Sequence, residues 1–223
     1  YFSKTSRLGR VNTGSVAQRL ADTPGVARTI LGAARAARGM PGADPRAMSH
    51  SWLFTGPPGS GRSLAAIDFA AALMCTDPEE PGCGRCEACR AVLETKQHTD
   101  LVLVDPQEVI IPVDTVREVI GRAASLPTVA PWRVVIFNNA DRLNNNGANA
   151  LLKTVEEPPA RTVIIMCAPS DAPEDFSQTL RSRCRHLYIP SPSVESITAQ
   201  LVSEGASDHD AHLAALTSLR HVG

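Results

Sequence analysis

Apolar runs and amphipathic stretches alternate along the middle of this chain. Continuous apolar runs bounded by polar or turn-forming residues are typical of strands buried on both faces of a parallel sheet. Such runs predict strands at Ser51–Thr55, Leu101–Val104, Arg133–Phe137, Val163–Cys167 and Leu187–Ile189. Helical spacing of apolar residues, or alanine-rich composition, predicts helices at Val26–Arg38, Leu64–Met74, Thr115–Ala124, Gly147–Glu157 and Ser177–Arg183, with Asp114 as the N-cap of the third. This order predicts a three-layer α/β domain over residues 26–190 with a mainly parallel sheet.

The two ends of the chain have a different pattern. As far as Ala21, the first residues include basic side chains but no acidic one, and they contain no hydrophobic core of a signal sequence. We therefore expect a mobile N-terminal arm over residues 1–25, and a chain trimmed before Tyr1. After Pro190-Ser191-Pro192, residues 191–223 show only helical patterns, which predicts the beginning of a small helical lid domain that stops at Gly223 before it is complete.

Composition narrows the class of protein. Of the 223 residues, 43% are hydrophobic and 20% are charged, which is typical of a globular domain with an ordinary core. The formal net charge of -1 gives no global attraction to nucleic acid or to an anionic membrane, so any DNA contact is expected to be local or made through a larger assembly. Because no apolar run approaches the roughly 20 residues that span a bilayer, we expect no membrane partner.

The sequence GPPGSGRS follows the first predicted strand and fits a phosphate-binding loop at every position except one. Gly56, Gly59 and Gly61 let backbone N–H groups approach phosphates at the N-terminus of a helix, and Ser63 keeps a hydroxyl for Mg²⁺. Arg62 replaces the usual lysine, and its planar guanidinium needs a different approach to phosphate. The pattern predicts a nucleotide-binding loop that is degenerate. A strand-turn-helix corner without a ligand remains the alternative.

A second departure from an ATPase follows the third predicted strand. Asn138 and Asn139 stand where a working site of this kind usually has carboxylates. Asn138 offers a neutral carbonyl to a cation that prefers carboxylates, and Asn139 cannot accept a proton from water near neutral pH. These residues could also form only a turn after a buried strand. Either interpretation predicts that this chain does not hydrolyse ATP by itself, and leaves binding of ATP and Mg²⁺ open.

Four of the six cysteines fall within fifteen residues. Their spacing, C-x7-C-x2-C-x2-C, is typical of a tetrahedral zinc site rather than of a secreted disulfide framework, and it favours a reducing cytosol. The predicted ligands are Cys75, Cys83, Cys86 and Cys89. Four protein ligands leave no open position for catalysis, so the zinc is expected to be structural. The alternative is four free thiols.

Two further segments, NALLKTVEEPP at residues 149–159 and TLRSRCR at residues 179–185, complete a resemblance. Together with the phosphate loop and the cysteine spacing, in this order over roughly residues 50–190, they resemble the bacterial clamp-loader subunits of DNA polymerase III, which belong to the AAA+ class. The resemblance implies an AAA+ fold with a zinc-binding insertion at residues 75–89, in a cytoplasmic protein. It also implies that the family's C-terminal collar domain is absent from this chain.

The resemblance also implies a role. The family contains ATP-hydrolysing motor subunits, gamma and tau, and a stationary partner. Because the motors keep the loop lysine and an Asp-Glu pair, Arg62, Asn138 and Asn139 are similar to the stationary partner, here in an actinobacterium-like variant. Such a subunit is a non-catalytic part of a DNA-directed DNA polymerase, a nucleotidyltransferase. Its implied partners are gamma/tau and delta, with the sliding clamp and primed DNA contacted through the assembly.

Arg183, in the triplet Ser182-Arg183-Cys184, is implied by the resemblance to be an arginine finger that reaches ATP on the adjacent motor subunit. Without the resemblance, these arginines could be only charges at a solvated helix end. The chain departs from the family at residues 22–23, where Asp22-Thr23 replaces the usual Gly-Gln. Two alternatives remain open: a motor-type clamp-loader ATPase, and a zinc-stabilised nucleic-acid-binding module.

Overall fold

Five parallel strands form one sheet in the computed structural model, which describes residues 14–106, 108–203 and 205–220. The strands are β1 (Ser51–Thr55), β2 (Leu101–Val104), β3 (Arg133–Phe137), β4 (Thr162–Ala168) and β5 (Arg185–Tyr188). The helices are α1 (Val16–Arg19), α2 (Pro24–Ala37), α3 (Arg62–Met74), α4 (Glu87–Arg90), α5 (Val113–Ala123), α6 (Asn145–Glu156), α7 (Gln178–Arg181), α8 (Val194–Ser203) and α9 (Asp208–Arg220). Short 3-10 turns at Pro45–Ala47 and Ala140–Arg142, and a π-helical turn at Ala91–Thr95, connect them.

The spatial order of the strands is β2-β3-β4-β1-β5, so β1 lies between two strands that come much later in the chain. Thr55 at the end of β1 lies opposite Ala168 of β4 and Tyr188 of β5. The carboxyl ends of these strands therefore meet at one edge of the sheet, where open α/β sheets usually bind their ligands.

Helices cover both faces of the sheet. Side chains alternate across β1, so Trp52 and Phe54 join a core with α2 and α3, while Leu53 joins a second core with α5 and α6. All five residues of β1 and of β3 are buried, which explains why these strands are apolar without alternation. The predicted three-layer α/β fold with a parallel sheet is confirmed.

Several element boundaries differ from the prediction by one or two residues, and three of these differences have a visible physical cause. Helix α5 begins at Val113 after Pro112, so Asp114 lies in the first helical turn and is not the N-cap. A carboxylate is also favourable there, near the positive end of the helix dipole, and Asp114 pairs with Arg117 at 2.9 Å. Helix α6 begins two residues earlier than predicted, because the Asn144 side chain accepts the Gly147 N–H at 2.8 Å.

Strand β5 was the third difference, since it begins at Arg185 rather than Leu187. It is the edge strand beside β1, and three of its four residues are exposed. Arg185 and His186 therefore need no apolar character, and the apolar pattern showed only the second half of the strand.

The chain ends contribute to the fold where the structure describes them. Within the expected N-terminal arm, residues 14–25 form α1 and the start of α2, and Val16 is completely buried. Residues 1–13 lie outside the described part. Helices α8 and α9 pack against each other at the other end. Within the described residues, no helix has the length and apolar character needed to cross a membrane.

Candidate functional site

The glycines of the phosphate loop are required by its backbone. The loop joins β1 to α3 at the carboxyl edge of the sheet. A Cβ on Gly56 would lie 2.3 Å from the Ile189 carbonyl oxygen and 2.5 Å from the Ser60 hydroxyl. Gly59 and Gly61 have φ angles of 82° and 81°, which L side chains rarely adopt. The loop therefore keeps the conformation that its glycine pattern predicts.

The Arg62 side chain turns back onto the loop. One guanidinium nitrogen, Nη1, donates to the Gly56 carbonyl at 2.9 Å and to the Pro57 carbonyl at 3.1 Å. These bonds hold the charge against the loop's own carbonyl groups. Ser63, next to it, lies partly exposed in the first turn of α3.

An open cavity of about 840 Å³ lies beside the loop. Its walls come from the loop at Gly59 and Gly61, from the end of α1 and from the segment 189–195. Ser60 also lines it, and the buried hydroxyl oxygen of this residue has no hydrogen-bond partner among the described residues. A buried polar atom without a partner is costly, so it marks a position where a polar ligand group would be favourable.

An ion pair closes one side of this cavity. Arg19 of α1 contacts Asp68 of α3 through Nε and Oδ1 at 2.5 Å, and the Asp68 side chain is only 3% exposed. Burial raises the pKa of the Asp68 carboxyl above its ordinary value, and the Arg19 charge opposes that shift. The pair joins the N-terminal helix to the helix that begins at the phosphate loop.

Asn138 and Asn139 follow β3 at the same edge of the sheet as the phosphate loop. Asn138 is 9% exposed, and its Oδ1 has no partner in the part of the chain that the structure describes. Asn139 has a φ of 51° and begins the 3-10 turn Ala140–Arg142, in which Asp141 is exposed. Since no carboxylate stands at the end of β3, this edge of the sheet lacks the ligands that Mg²⁺ prefers at that position.

The four predicted metal ligands come together. The sulfur atoms of Cys75, Cys83, Cys86 and Cys89 all lie within 4.8 Å of one another, and Cys86 Sγ is 3.9 Å from Cys75 Sγ. Thiolates about 2.3 Å from a tetrahedral Zn²⁺ lie roughly 3.8 Å apart, so the spacing fits this ion. The cluster could therefore hold a metal, as the sequence predicts.

Backbone N–H groups support the charge of these sulfurs. The N–H groups of Asp77, Cys86 and Cys89 each donate to a cysteine sulfur at 3.4 Å. A hydrogen bond from Cys89 lowers the pKa of the Cys75 thiol below its usual range. The pKa of Cys86 is lowered as well. Burial raises the pKa of Cys83 and a hydrogen bond to Cys75 raises that of Cys89, so thiolate is favoured at two of the four positions. Metal binding needs thiolate at each position, because the thiolate is the ligand.

Arg183 lies away from the phosphate loop. It precedes β5, whose first residue Arg185 pairs with Trp52 near the amino end of β1, whereas the loop follows the carboxyl end of β1. Arg183 Nε donates to Glu156 Oε1 at the end of α6, and Nη1 donates to the Thr179 carbonyl at 2.8 Å. Both charged side chains of this pair are at least one-third exposed, at 36% and 47%.

The structure thus groups the predicted residues into three places. The phosphate loop and the two asparagines share one edge of the sheet, Arg183 lies at the opposite edge, and the cysteines form a separate cluster. Arg19, Asp68 and Glu156 were not predicted as site residues. Asp68 gives a signal in retrospect, since a lone carboxylate in an alanine-rich helix needs a charged partner.

A P-loop corner on a parallel sheet of this strand order, with a cysteine cluster inserted after the loop helix, defines an AAA+ protein of the clamp-loader type. The fold is similar to the Thermotoga maritima RuvB Holliday junction branch migration motor, with a TM-score of 0.50 and 16% identity over 86% of this chain and 55% of that one.

The family is shown by sequence. Residues 43–193 match the family described as DNA polymerase III, delta subunit. The chain is 35% identical to DNA polymerase III subunit delta′ of Pseudomonas aeruginosa, over 71% of this chain and 49% of that protein. It is also 33% identical to subunit gamma/tau of Mycobacterium tuberculosis, over 72% of this chain and 28% of that protein. The chain belongs to the delta′ family of DNA polymerase III clamp-loader subunits, and it spans about half the length of the delta′ relatives that it matches.

Proposed function

We propose that the chain is part of a stationary clamp-loader subunit, which helps to load the sliding clamp on primed DNA and supplies Arg183 to ATP held by a neighbouring motor subunit. The neighbours would be gamma/tau and delta, with the clamp and DNA contacted through the assembly. Reduced cysteines in the cluster suit the cytoplasm, where DNA replication takes place in bacteria.

The position of Arg183 carries this proposal. Arg183 and the phosphate loop of the same chain lie at opposite edges of the sheet. An arginine so placed is far better situated to contact a ligand on another subunit than one on its own. The absence of carboxylates at Asn138 and Asn139 supports the same view, since the chain's own site lacks the groups that hold Mg²⁺ and activate water.

Arg183 has the chemistry for this task. Its planar guanidinium can contact two oxygens of a transferring phosphoryl group and stabilise the charge that spreads over them. Exposed ion pairs contribute only about 0–1 kcal/mol, so the contact with Glu156 holds the side chain in place without preventing its transfer to a phosphate. The Arg183 guanidinium would therefore leave Glu156 and contact the phosphate of the bound ATP when a motor subunit docks.

The chain's own loop would bind a nucleotide without hydrolysing it. The backbone of Gly59 and Gly61 and the unpartnered Ser60 hydroxyl would hold phosphate groups, and the adjacent cavity of about 840 Å³ can hold a nucleotide-sized ligand. Arg62 would balance phosphate charge from the loop. No hydrolysis is proposed, because the residues after β3 offer no general base.

Zinc would have a structural role. Bound to the four thiolates, a Zn²⁺ ion supplies a crosslink within a segment that has little core of its own. The cysteines use all four positions of the tetrahedron, so the cluster leaves no place for a substrate. Their contribution is to fix the loop of residues 75–89 against α3.

The test uses the full-length protein assembled with its motor subunits. Arg183→Ala should leave assembly intact and lower the ATP hydrolysis that DNA and clamp stimulate, together with clamp loading. Arginine fingers contribute about 10³–10⁵ in rate in well-studied systems, and a motor with several sites is expected to show less. Arg183→Lys should restore activity only in part, because the fork geometry is lost.

Arg181→Ala is the matched control. Arg181 lies in the same basic stretch, is 43% exposed and pairs with Asp171 at 2.6 Å. The Arg181→Ala variant should leave the stimulated ATP hydrolysis unchanged if the effect belongs to Arg183 alone. An Arg183→Ala assembly that loads clamps at the normal rate would show that Arg183 is only a helix-end charge.

A further inference from the structure

Helix α1 packs against residues 75–89, the segment called here the cysteine loop. The Val16 N–H donates to the Gly82 carbonyl at 2.8 Å, and the Val16 side chain is fully buried. A Cβ on Gly82 would lie 2.5 Å from Val16 Cγ2, and a Cβ on Gly84 would lie 2.3 Å from the Gly14 carbonyl oxygen. Both glycines also have φ angles above 70°. The segment before α1 and α1 itself therefore pack directly on the loop that joins Cys75 to Cys86.

The same short helix forms a wall of the cavity beside the phosphate loop. Arg19 and Leu20 line this cavity, and Arg19 pairs with Asp68 on the loop helix α3. Only two residues thus separate the contact with the cysteine loop, at Val16, from the contact with the cavity, at Arg19. One helical turn connects the two places.

We propose that the cysteine loop is a positioning element for this cavity, and that it sets the affinity of the cavity for a nucleotide by holding α1. The ligand named here rests on the nucleotide binding proposed above. The positioning residues are Gly82, Gly84 and Val16, none of which lines the cavity itself.

The physical reason is that α1 cannot hold its own position. A four-residue helix is far below the length at which isolated helices are stable in water, even with the capping box that Ser15 and Gln18 form here. Its place depends on tertiary contacts, and the cysteine loop provides several of them. Small metal-binding loops lose their structure when the metal is removed, because the ligands then have no common partner.

Loss of the contacts between α1 and the cysteine loop would open the cavity. If α1 moves away, Arg19 leaves Asp68, and a buried carboxylate without its partner destabilises the arrangement around it. Arg19 and Leu20 would then no longer line the cavity together with Gly59 and Gly61. A nucleotide would lose one wall of contacts while its phosphate loop stayed in place on β1 and α3.

Hydrogen exchange tests the first step, from the cysteine loop to α1, without any nucleotide. The 223-residue chain is compared in its zinc-loaded form and after removal of the metal with a chelator. Amides of residues 15–20 should lose protection on metal removal, whereas those of β3 and α6 should keep it. Unchanged protection over residues 15–20 would overturn the proposal.

Binding of ADP tests the second step, from α1 to the cavity. Val16→Ala should keep its zinc but raise the Kd for ADP by about tenfold, which corresponds to about 1.4 kcal/mol. Val26→Ala is the control, since Val26 is equally apolar, is 4% exposed in α2 and lines no part of the cavity. The control should change the Kd by less than about twofold, a small fraction of the tenfold effect.

The outcomes separate this inference from the proposed function. An ADP affinity that Val16→Ala leaves unchanged would overturn the role of α1 in the cavity. Absence of any ADP binding by the zinc-loaded chain would contradict the nucleotide binding under the proposed function, together with the ligand named here. The exchange experiment would in that case still decide whether the cysteine loop holds α1.

Discussion

Among single residues, Asp100 shows how one buried carboxylate can organise a turn. Its side chain is fully buried, accepts the N–H groups of Thr128, Val129 and Ala130, and pairs with Arg133 at 2.9 Å. Burial alone would raise the pKa of Asp100, but the backbone hydrogen bonds and the Arg133 guanidinium outweigh it and hold the pKa well below its usual range. The carboxylate thereby ties the segment before β3 to the start of β2.

Asp100→Asn should therefore lower the free energy of unfolding by about 3 kcal/mol near neutral pH, because it leaves Arg133 as a buried charge without its partner. Urea unfolding followed by circular dichroism measures this loss. Asp114→Asn is the control, since Asp114 is 86% exposed beside Arg117 in the first turn of α5, and we expect a loss of at most about 1 kcal/mol there. Equal stability of the two variants would contradict the role given to Asp100.

The pH dependence of this prediction has a definite sign. The pKa of Asp100 is lower in the folded chain than in the unfolded one, so its stabilisation is fully present above the unfolded pKa of about 4 and is lost as the pH falls further. The difference in stability between the natural chain and Asp100→Asn should shrink over that acidic range.

For single residues, the sequence predicted which residue types are present but not which contacts they make. The replacement at Arg62 was visible from the motif, since the motif fixes which residue type stands there. Its hydrogen bonds to Gly56 and Pro57 were not visible, because they depend on how the loop folds back. Asp100 and Arg133 are 33 positions apart, and no local pattern joins them.

Among the elements, the cysteine loop is the one whose fold depends on a ligand. Its four sulfurs lie close together in a segment with only a four-residue helix, α4, of its own. Deprotonated sulfurs at this spacing repel one another unless a cation lies between them. The stability of this element is therefore expected to follow metal content.

Cys86→Ser should release the metal and unfold the loop. Elemental analysis should find about one Zn²⁺ in the natural chain and much less in the variant, with a lower melting temperature. Cys184→Ser is the control, because Cys184 lies outside the cluster and should keep the zinc. If a metal-free natural chain proved as stable as the zinc-loaded one, the structural role of zinc would be wrong.

The sequence predicted elements well where burial is uniform and less well at edges. β1 and β3 were predicted with their observed ends because every residue in them is buried. The predicted start of β5 lay two residues after the observed one, because Arg185 and His186 are exposed and carry no apolar signal. The start of α1 on the cysteine loop was not predicted, since it depends on contacts between Val16 and Gly82 across 66 positions of sequence.

At the scale of the whole molecule, the two edges of the sheet carry different functional groups. The carboxyl edge carries the phosphate loop, the cavity and the two asparagines, while Arg183 and Glu156 lie at the amino edge. Under the proposed function, a site that needs both a phosphate loop and an arginine finger would therefore be divided between neighbouring subunits. This arrangement makes the proposed activity a property of the assembly.

The isolated chain should consequently show negligible ATP turnover with Mg²⁺, because Asn138 and Asn139 supply neither a metal ligand nor a base. The triple change Arg62→Lys, Asn138→Asp and Asn139→Glu should restore Mg²⁺-dependent nucleotide affinity, yet leave turnover slow, since no neighbour provides an arginine. Asp141→Asn, at an exposed carboxylate nearby, serves as the control and should change neither property. Coupled-enzyme phosphate release and equilibrium binding measure the two effects separately. If the natural chain alone turned over ATP, and Arg62→Ala abolished that turnover, the chain would be a motor subunit like gamma and tau, and the proposed division of the site between subunits would be wrong.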